Sequence, residues 1–388
     1  MRKYGLILLA LGLAGWIISY IHRMMVPPLL PMIMDELRIS NTQAGLLMSG
    51  FMISYAIAQI PAGYLSDKYG ARKVVSLGIG AFSLATLLIG FSRCFEQFLI
   101  LRILFGLFAG TYFPPITAAI SGAFPTEKRG KAIGVFMSGT SIGTALAPII
   151  SVPIALLAGW RYAFIVLALP GFLIAAAFFL TLQDKTHEIR EYKKGGGFIS
   201  LKFLVACVVP FLGLATSMGF TTFLPLFLVN ERGLSIEIAA VFSSLIPAIG
   251  FLGNIFGGFV ADKFDKGLLV SAITLTSAIL MSSTYFSSNR TILPVLLLFG
   301  FVNSLIPAPM ISLTSQIVPE RRRASALAFQ NASTFIGASF GTGFGGYLLD
   351  KAGYIALFTF LTLNLMIGGI LALMLKEKSV GGEQTPPS

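Results

Sequence analysis

The sequence predicts an all-α integral membrane protein: twelve transmembrane helices in two pseudo-symmetric six-helix bundles. Three observations carry this reading. Of 388 residues, 55% are hydrophobic and only 11% charged, with mean hydropathy +0.85. A soluble domain carries about 25% charged residues, so this surface is solvated by lipid. The apolar residues fall into twelve runs, each near the ~20 residues a helix needs to cross a bilayer. Finally, the two halves repeat.

The runs lie at 4–34, 41–66, 72–91, 96–124, 131–157 and 161–182, then at 200–229, 235–260, 267–286, 291–317, 323–349 and 354–375. Lipid offers the backbone no hydrogen-bond partner, so each run must be helical. Residues 184–197 (DKTHEIREYKKGGG) are the polar, charged break at mid-chain. The expected organisation is a bundle over 1–182, a cytoplasmic linker over 183–199, a second bundle over 200–378 and a disordered tail over 379–388. Met1-Arg2-Lys3 leads into an apolar run without a small-residue cleavage site, so the first helix is expected to stay.

Three ordered matches carry the repeat. Gly63 and Asp67 of GYLSD match Gly258 and Asp262 of GFVAD. Pro125, Arg129 and Ala132 match Pro319, Arg323 and Ala326. Gly159 and Phe164 match Gly353 and Phe358. The spacing stays near half the chain length, as two similar bundles require. Paired repeats flanking a site near the midplane are how many secondary transporters are built.

The net charge of +12 invites a polyanion-binding reading, but its distribution argues for topology instead. Twenty of the 28 Lys and Arg residues fall in alternate loops on one side. Six fall on the other, and Arg23 and Arg102 lie inside spans. This bias places both termini in the cytoplasm of a multi-pass plasma-membrane protein and leaves no nucleic-acid surface. Cys94 and Cys207 lie far apart in the chain, in different halves, and nothing in their placement suggests a disulfide framework or a metal site. No metal cluster, nucleophile–base pair or phosphate loop points to an enzyme or a cofactor.

Between the second and third spans runs Gly63-Tyr64-Leu65-Ser66-Asp67-Lys68-Tyr69-Gly70-Ala71-Arg72-Lys73. Gly63 is expected to let a neighbouring backbone approach. Gly70 permits the tight turn, and Arg72 and Lys73 hold the loop on the cytoplasmic side. The pattern G-x-L-x-D-x-x-G-x-R-K resembles the loop signature of the major facilitator superfamily of secondary transporters. That resemblance implies a gating role for Gly63, Asp67, Gly70 and Arg72, and for Gly258, Asp262, Arg129 and Arg323 of the repeat. The family counterpart of Asp67 helps latch the outward-facing state.

Within that superfamily, Tyr20-Ile21-His22-Arg23, Leu30-Pro31 and Asp35-Glu36-Leu37 are similar to the first helix of the anion:cation symporter, or organic-anion, branch. Ile39-Ser40-Asn41-Thr42-Gln43-Ala44-Gly45, Leu101-Arg102-Ile103-Leu104-Phe105-Gly106 and Gly159-Trp160-Arg161-Tyr162-Ala163-Phe164 resemble that branch as well. Relatives there commonly carry an acid beside the first-helix Arg and another seven residues after the fourth-helix Arg. Here those positions hold His22 and Ala109, which puts proton symport by that route in doubt.

All 16 Asp and Glu residues lie in loops or at helix ends, so the ionisable groups of the interior are His22, Arg23 and Arg102. Buried charge is costly and usually functional, and a positive interior favours an anion. Arg23 leads, because Trp16, Tyr20, Arg23 and Pro27 share one helical face and a guanidinium grips a carboxylate or phosphate bidentately. The alternative is an Arg that reaches to the interface. Arg102 lies six residues from Glu96, so snorkelling or pairing competes with a substrate role. His22 could titrate near neutral pH, or be a neutral His bonded to a backbone or hydroxyl group. Tyr55 and Gln59 share a face, and with Asn303, Gln330 and Asn331 they are expected to finish the cavity. Pro27-Pro28, Pro114-Pro115 and Pro307-Ala308-Pro309 interrupt the first, fourth and tenth helices. The G-x-x-x-G steps Gly139/Gly143 and Gly337/Gly341 suggest close contact across the interface between the bundles.

The expectation is a monomeric secondary transporter that moves a small organic anion by alternating access, with a counter-anion or proton as the coupled partner and the lipid bilayer as its surroundings. The alternative is a proton-coupled drug exporter of the same superfamily. It calls for an embedded acid, which the spans lack.

Overall fold

The computed structural model describes residues 2–183, 200–261, 263–319 and 322–376. Asp262 of the gating set, most of the expected linker and the expected tail lie outside the described residues. The first span is α1 (Arg2–Met24) and α2 (Val26–Leu37). It breaks at Met25 because Pro27 and Pro28 have no N–H to give to the preceding turn. A capping box starts α3 (Asn41–Tyr69): Gln43 N donates to Ser40 Oγ, and Ser40 N donates to Gln43 Oε1. Gly70, at φ 87°, turns the chain into α4 (Ala71–Ile89).

The fourth span is likewise split, into α5 (Phe95–Gly110) and α6 (Phe113–Ala123), just before Pro114. Next come α7 (Thr126–Ala158) and α8 (Trp160–Thr181), joined at Gly159. The second half holds α9 (Leu201–Leu226), a π-helical turn over Phe227–Glu231, α10 (Ile236–Ala261) and α11 (Lys266–Phe286). The tenth span is α12 (Ile292–Asn303) and α13 (Pro307–Ile317), broken before Pro307. All three expected proline breaks are present.

The last helix, α14 (Arg323–Ala372), is two spans in one: Gly353 leaves helical geometry at φ 73°, ψ −172°. Eleven helical spans among the described residues, three of them running across the proline breaks, are long and apolar enough to cross a membrane. Counting the two parts of α14 separately gives twelve.

The bundles meet along α3 and the first part of α14, α7 and α10, and α2 and α9. The α3–α14 pair runs antiparallel in steady register. Asn41 meets Asp350, Ser49 meets Ser339 and Thr342, Tyr55 meets Phe335, and Gln59 meets Asn331. The register stops there. A Cβ built on Gly63 or Gly258 would meet nothing within 4 Å, and Ile60 and Tyr64 are 80% and 65% exposed. A cavity of about 370 Å³ also opens between the start of α7 (Gly134, Met137, Ser141) and the end of α10 (Phe251, Asn254). The bundles are thus joined at the Asp350 end and parted at the Asp67 end.

Two packing expectations need correction. The space beside Gly63 is empty, so no backbone approaches it in this arrangement. The G-x-x-x-G steps do make close contacts, but inside each bundle. A Cβ on Gly143 would stand 2.6 Å from Ile17 O of α1, and one on Gly341 1.9 Å from Ala215 O of α9. The tight crossing between bundles uses other glycines: Gly45 against Thr342 O and Gly346 against Asn41 O, each at 2.3 Å. A small-residue step shows that a helix will approach something closely; it does not name the partner.

Candidate functional site

Arg23 lies in the last turn of α1, just before the Pro27-Pro28 break, and is 1% exposed. Four rings surround its Cζ: Tyr55 at 4.2 Å, Tyr20 at 4.7 Å, Trp16 at 5.0 Å and Phe51 at 5.7 Å. Trp16 and Tyr20 come from the predicted face of α1. Phe51 and Tyr55 come from one face of α3, with Gln59 the next residue at that spacing. Each ring offers about 0.5–2 kcal/mol of cation–π attraction when desolvated. That offsets part of the burial cost but supplies no hydrogen-bond acceptor. Nε and Nη2 are buried without a partner, and an unsatisfied buried charged donor is expensive. The guanidinium is therefore held and oriented by aromatic faces while two of its donors remain open to a planar acceptor such as a carboxylate.

The cage connects to the second bundle. The Tyr55 hydroxyl interacts with both Arg23 and Gln59. Asn331 Nδ2 donates to Gln59 Oε1 at 3.2 Å, and the Phe335 ring packs 4.9 Å from Tyr55. A cavity of about 530 Å³ lies beside it, lined by Pro210, Ser217, Asn303, Gln330, Asn331 and Thr334 of the second bundle and Phe113 of the first. Phe113 packs on Trp16, centroids 5.0 Å apart. The Phe113 and Trp16 rings thus link the cavity lining to the guanidinium.

The other predicted side chains divide. Asn303 Nδ2 donates to Ser217 Oγ at 3.0 Å, leaving Oδ1 buried without a partner. Gln330 spends its amide nitrogen on Ala206 O and Thr314 Oγ1, at 2.6 and 2.7 Å, tying α14 to α9 and α13. Arg102 does not snorkel. It is fully buried, with Nε donating to Leu47 O at 3.2 Å, Nη1 to His22 O at 3.4 Å and Nη2 to Met48 Sδ at 3.3 Å. Distance along its own helix misled here, because α1 and α3 pack over it and supply the acceptors. His22 turns away from Arg23. Its Nε2 donates to Leu167 O at 2.7 Å and its Nδ1 meets Thr86 Oγ1 at 3.2 Å, which places the ring between α4 and α8 and outside the cage. The backbone-and-hydroxyl alternative describes it.

Among the residues expected to gate, Asp67 is exposed and Arg72 stacks over Phe179 at 4.4 Å. Arg129 Nε donates to Phe124 O at 3.2 Å and Arg323 Nε to Ser315 O at 2.8 Å. The matched arginines of the repeat thus each hold a carbonyl at the end of the preceding helix. Sequence reasoning missed Phe51, Phe113 and Phe335. The Phe51–Tyr55–Gln59 spacing was the available signal for the first of these.

The comparisons with known proteins agree with this architecture. A hexuronate transporter of Bacillus subtilis is 32% identical over 296 residues, covering 73% of this chain and 70% of its own. A probable L-galactonate transporter of Escherichia coli is 26% identical, covering 86% and 81%. Among solved structures, an inward-facing, occupied bacterial homolog of the human lysosomal transporter Spinster superposes with TM-score 0.81. At 18% identity, covering 95% of this chain and 94% of that one, it shows the fold. The sequence profile of the Major Facilitator Superfamily matches residues 12–313 and 251–387. The chain belongs to the Major Facilitator Superfamily.

Proposed function

We propose that this protein is a secondary transporter of a small organic anion of the sugar-acid class, acting as a monomer by alternating access in the plasma membrane. One observation carries the reading: a buried guanidinium, caged by four rings, with two donors open and no carboxylate from the described residues among its contacts. A sugar acid presents a planar carboxylate for Arg23 and hydroxyls for amides such as Asn303 and Asn331. The names of the relatives above, hexuronate and L-galactonate transporters, support the same class and favour it over drug export. The Lys and Arg bias puts the Asp67 end and both termini in the cytoplasm, so the arrangement described is open inward.

Coupling follows from the charge. An empty carrier must swing with the Arg23 charge buried and unneutralised, which is unfavourable; a bound anion neutralises it. Anion exchange is therefore the transport mode we favour. The experiment is uptake of a panel of hexuronates, hexonates and neutral hexoses into proteoliposomes, with and without internal anion. Uptake of the acids, stimulated by internal anion, supports the reading. Uptake of the neutral sugars alone rejects it.

A further inference from the structure

We propose that Asp350 is a latch residue for the outer gate, and that α3 and the first part of α14 carry two oppositely placed copies of one gate element that engage in alternation. The sequence supplies the first observation. Residues 63–70 read Gly-Tyr-Leu-Ser-Asp-Lys-Tyr-Gly, and residues 346–353 read Gly-Tyr-Leu-Leu-Asp-Lys-Ala-Gly. They differ only at the fourth and seventh positions. In both, the final glycine takes positive φ, 87° at Gly70 and 73° at Gly353. In both, the Asp stands in the last turn before a chain reversal. The two helices are antiparallel and lie in different bundles, so the copies sit at opposite ends of the same helix pair.

The second observation is what Asp350 does. Its Oδ1 accepts from Asn41 N at 3.0 Å and from Asn41 Nδ2 at 2.8 Å. Its Oδ2 accepts from Thr42 N at 2.7 Å and from Thr42 Oγ1 at 2.5 Å. The first turn of a helix has N–H groups without intrahelical partners and the positive end of the helix dipole. A carboxylate from the second bundle therefore closes the N-terminus of a helix in the first. Charge-assisted bonds of this kind are among the stronger ones a polypeptide makes, and these exist only while the bundles touch at this end. Gly346 and Gly45 let the two backbones come close enough for the reach.

The register supplies the third. Residue 41 meets 350, 49 meets 342 and 59 meets 331. Continued at that spacing, 67 falls opposite 323, the first residue of α14. Asp67 thus stands to the N-terminus of α14 as Asp350 stands to the N-terminus of α3. In this arrangement one contact is made. The other side is open: Asp67 is exposed and Gly63 faces empty space.

The proposal rests on alternating access but not on any substrate, and its test needs none. Spin-label pairs are placed on exposed residues near the helix ends, at Arg93 and Arg290 for the outer end and at Lys73 and Lys263 for the inner end, with Cys94 and Cys207 replaced by Ser. Distance distributions are compared in lipid nanodiscs. Asp350→Asn is expected to lengthen the outer distance and shorten the inner one, moving the outward-to-inward ratio by about tenfold. Thr42→Val, a milder loss of one donor, moves it the same way by less and serves if Asp350→Asn does not fold. Asp67→Asn moves it in the opposite direction, and the double variant returns toward the wild-type ratio. Two populations in the wild type with no shift in Asp350→Asn and Thr42→Val overturn the latch. A single, identical distance in every variant overturns alternating access itself.

Discussion

Two fully buried arginines in the first bundle lie near each other in space and differ in every consequential respect. Arg102 reaches two backbone carbonyls and a thioether across three helices. Arg23 meets four aromatic faces and the Tyr55 hydroxyl, with Nε and Nη2 unpartnered. A guanidinium whose donors are spent on carbonyls ties helices together. One whose donors are left open is prepared for an anion. Burial alone does not distinguish a binding residue from a structural one; the acceptors do.

The sharpest way to break this comparison is to change each guanidinium to an ammonium. Arg23→Lys keeps the charge but replaces the planar fork by a point donor. Sugar-acid uptake into proteoliposomes is expected to fall by about 100-fold or more, with expression and helix content unchanged. Arg102→Lys is expected to do the reverse. One ammonium cannot serve three acceptors in fixed directions, so chemical unfolding should show a loss of about 1–3 kcal/mol. Substrate affinity of the folded fraction stays within a few-fold.

Smaller effects refine the picture around Arg23. Tyr55→Phe keeps the ring over the guanidinium and removes the hydroxyl that joins it to Gln59. A rise in the half-saturation concentration of about tenfold is expected, read from initial uptake rates. His22→Gln is the smallest. Glutamine retains a donor for Leu167 O, and the position lies outside the cage, so exchange rates and their pH profile should match wild type. Loss of pH dependence in that variant would give His22 a coupling role that its packing does not suggest.

What could be read in advance follows the range of the forces involved. The twelve spans, the three proline breaks and the aromatic face around Arg23 are local: apolar run length, missing N–H groups and helical spacing determine them. Arg23 itself stood out because a charge in an apolar run has few acceptable explanations. The fates of Arg102 and His22 depended on α3, α4 and α8 packing over them, which no spacing within their own helices encodes. The glycine steps failed for the same reason. In the sequence Asp350 is one loop-end acid among many, because its partners Asn41 and Thr42 lie more than 300 residues away. Its signal, the recurrence of GYLxDKxG, becomes meaningful once the two helices are known to be antiparallel neighbours.

The central claim is that the open donors of Arg23 select the anion. Equilibrium binding to purified protein tests it most directly, comparing a hexuronate with the uncharged hexose of the same ring for wild type and Arg23→Gln. The account predicts that wild type binds the acid and not the neutral sugar, and that Arg23→Gln loses this preference while remaining folded. Undiminished preference for the acid in Arg23→Gln would contradict it and move the anion site elsewhere in the cavity.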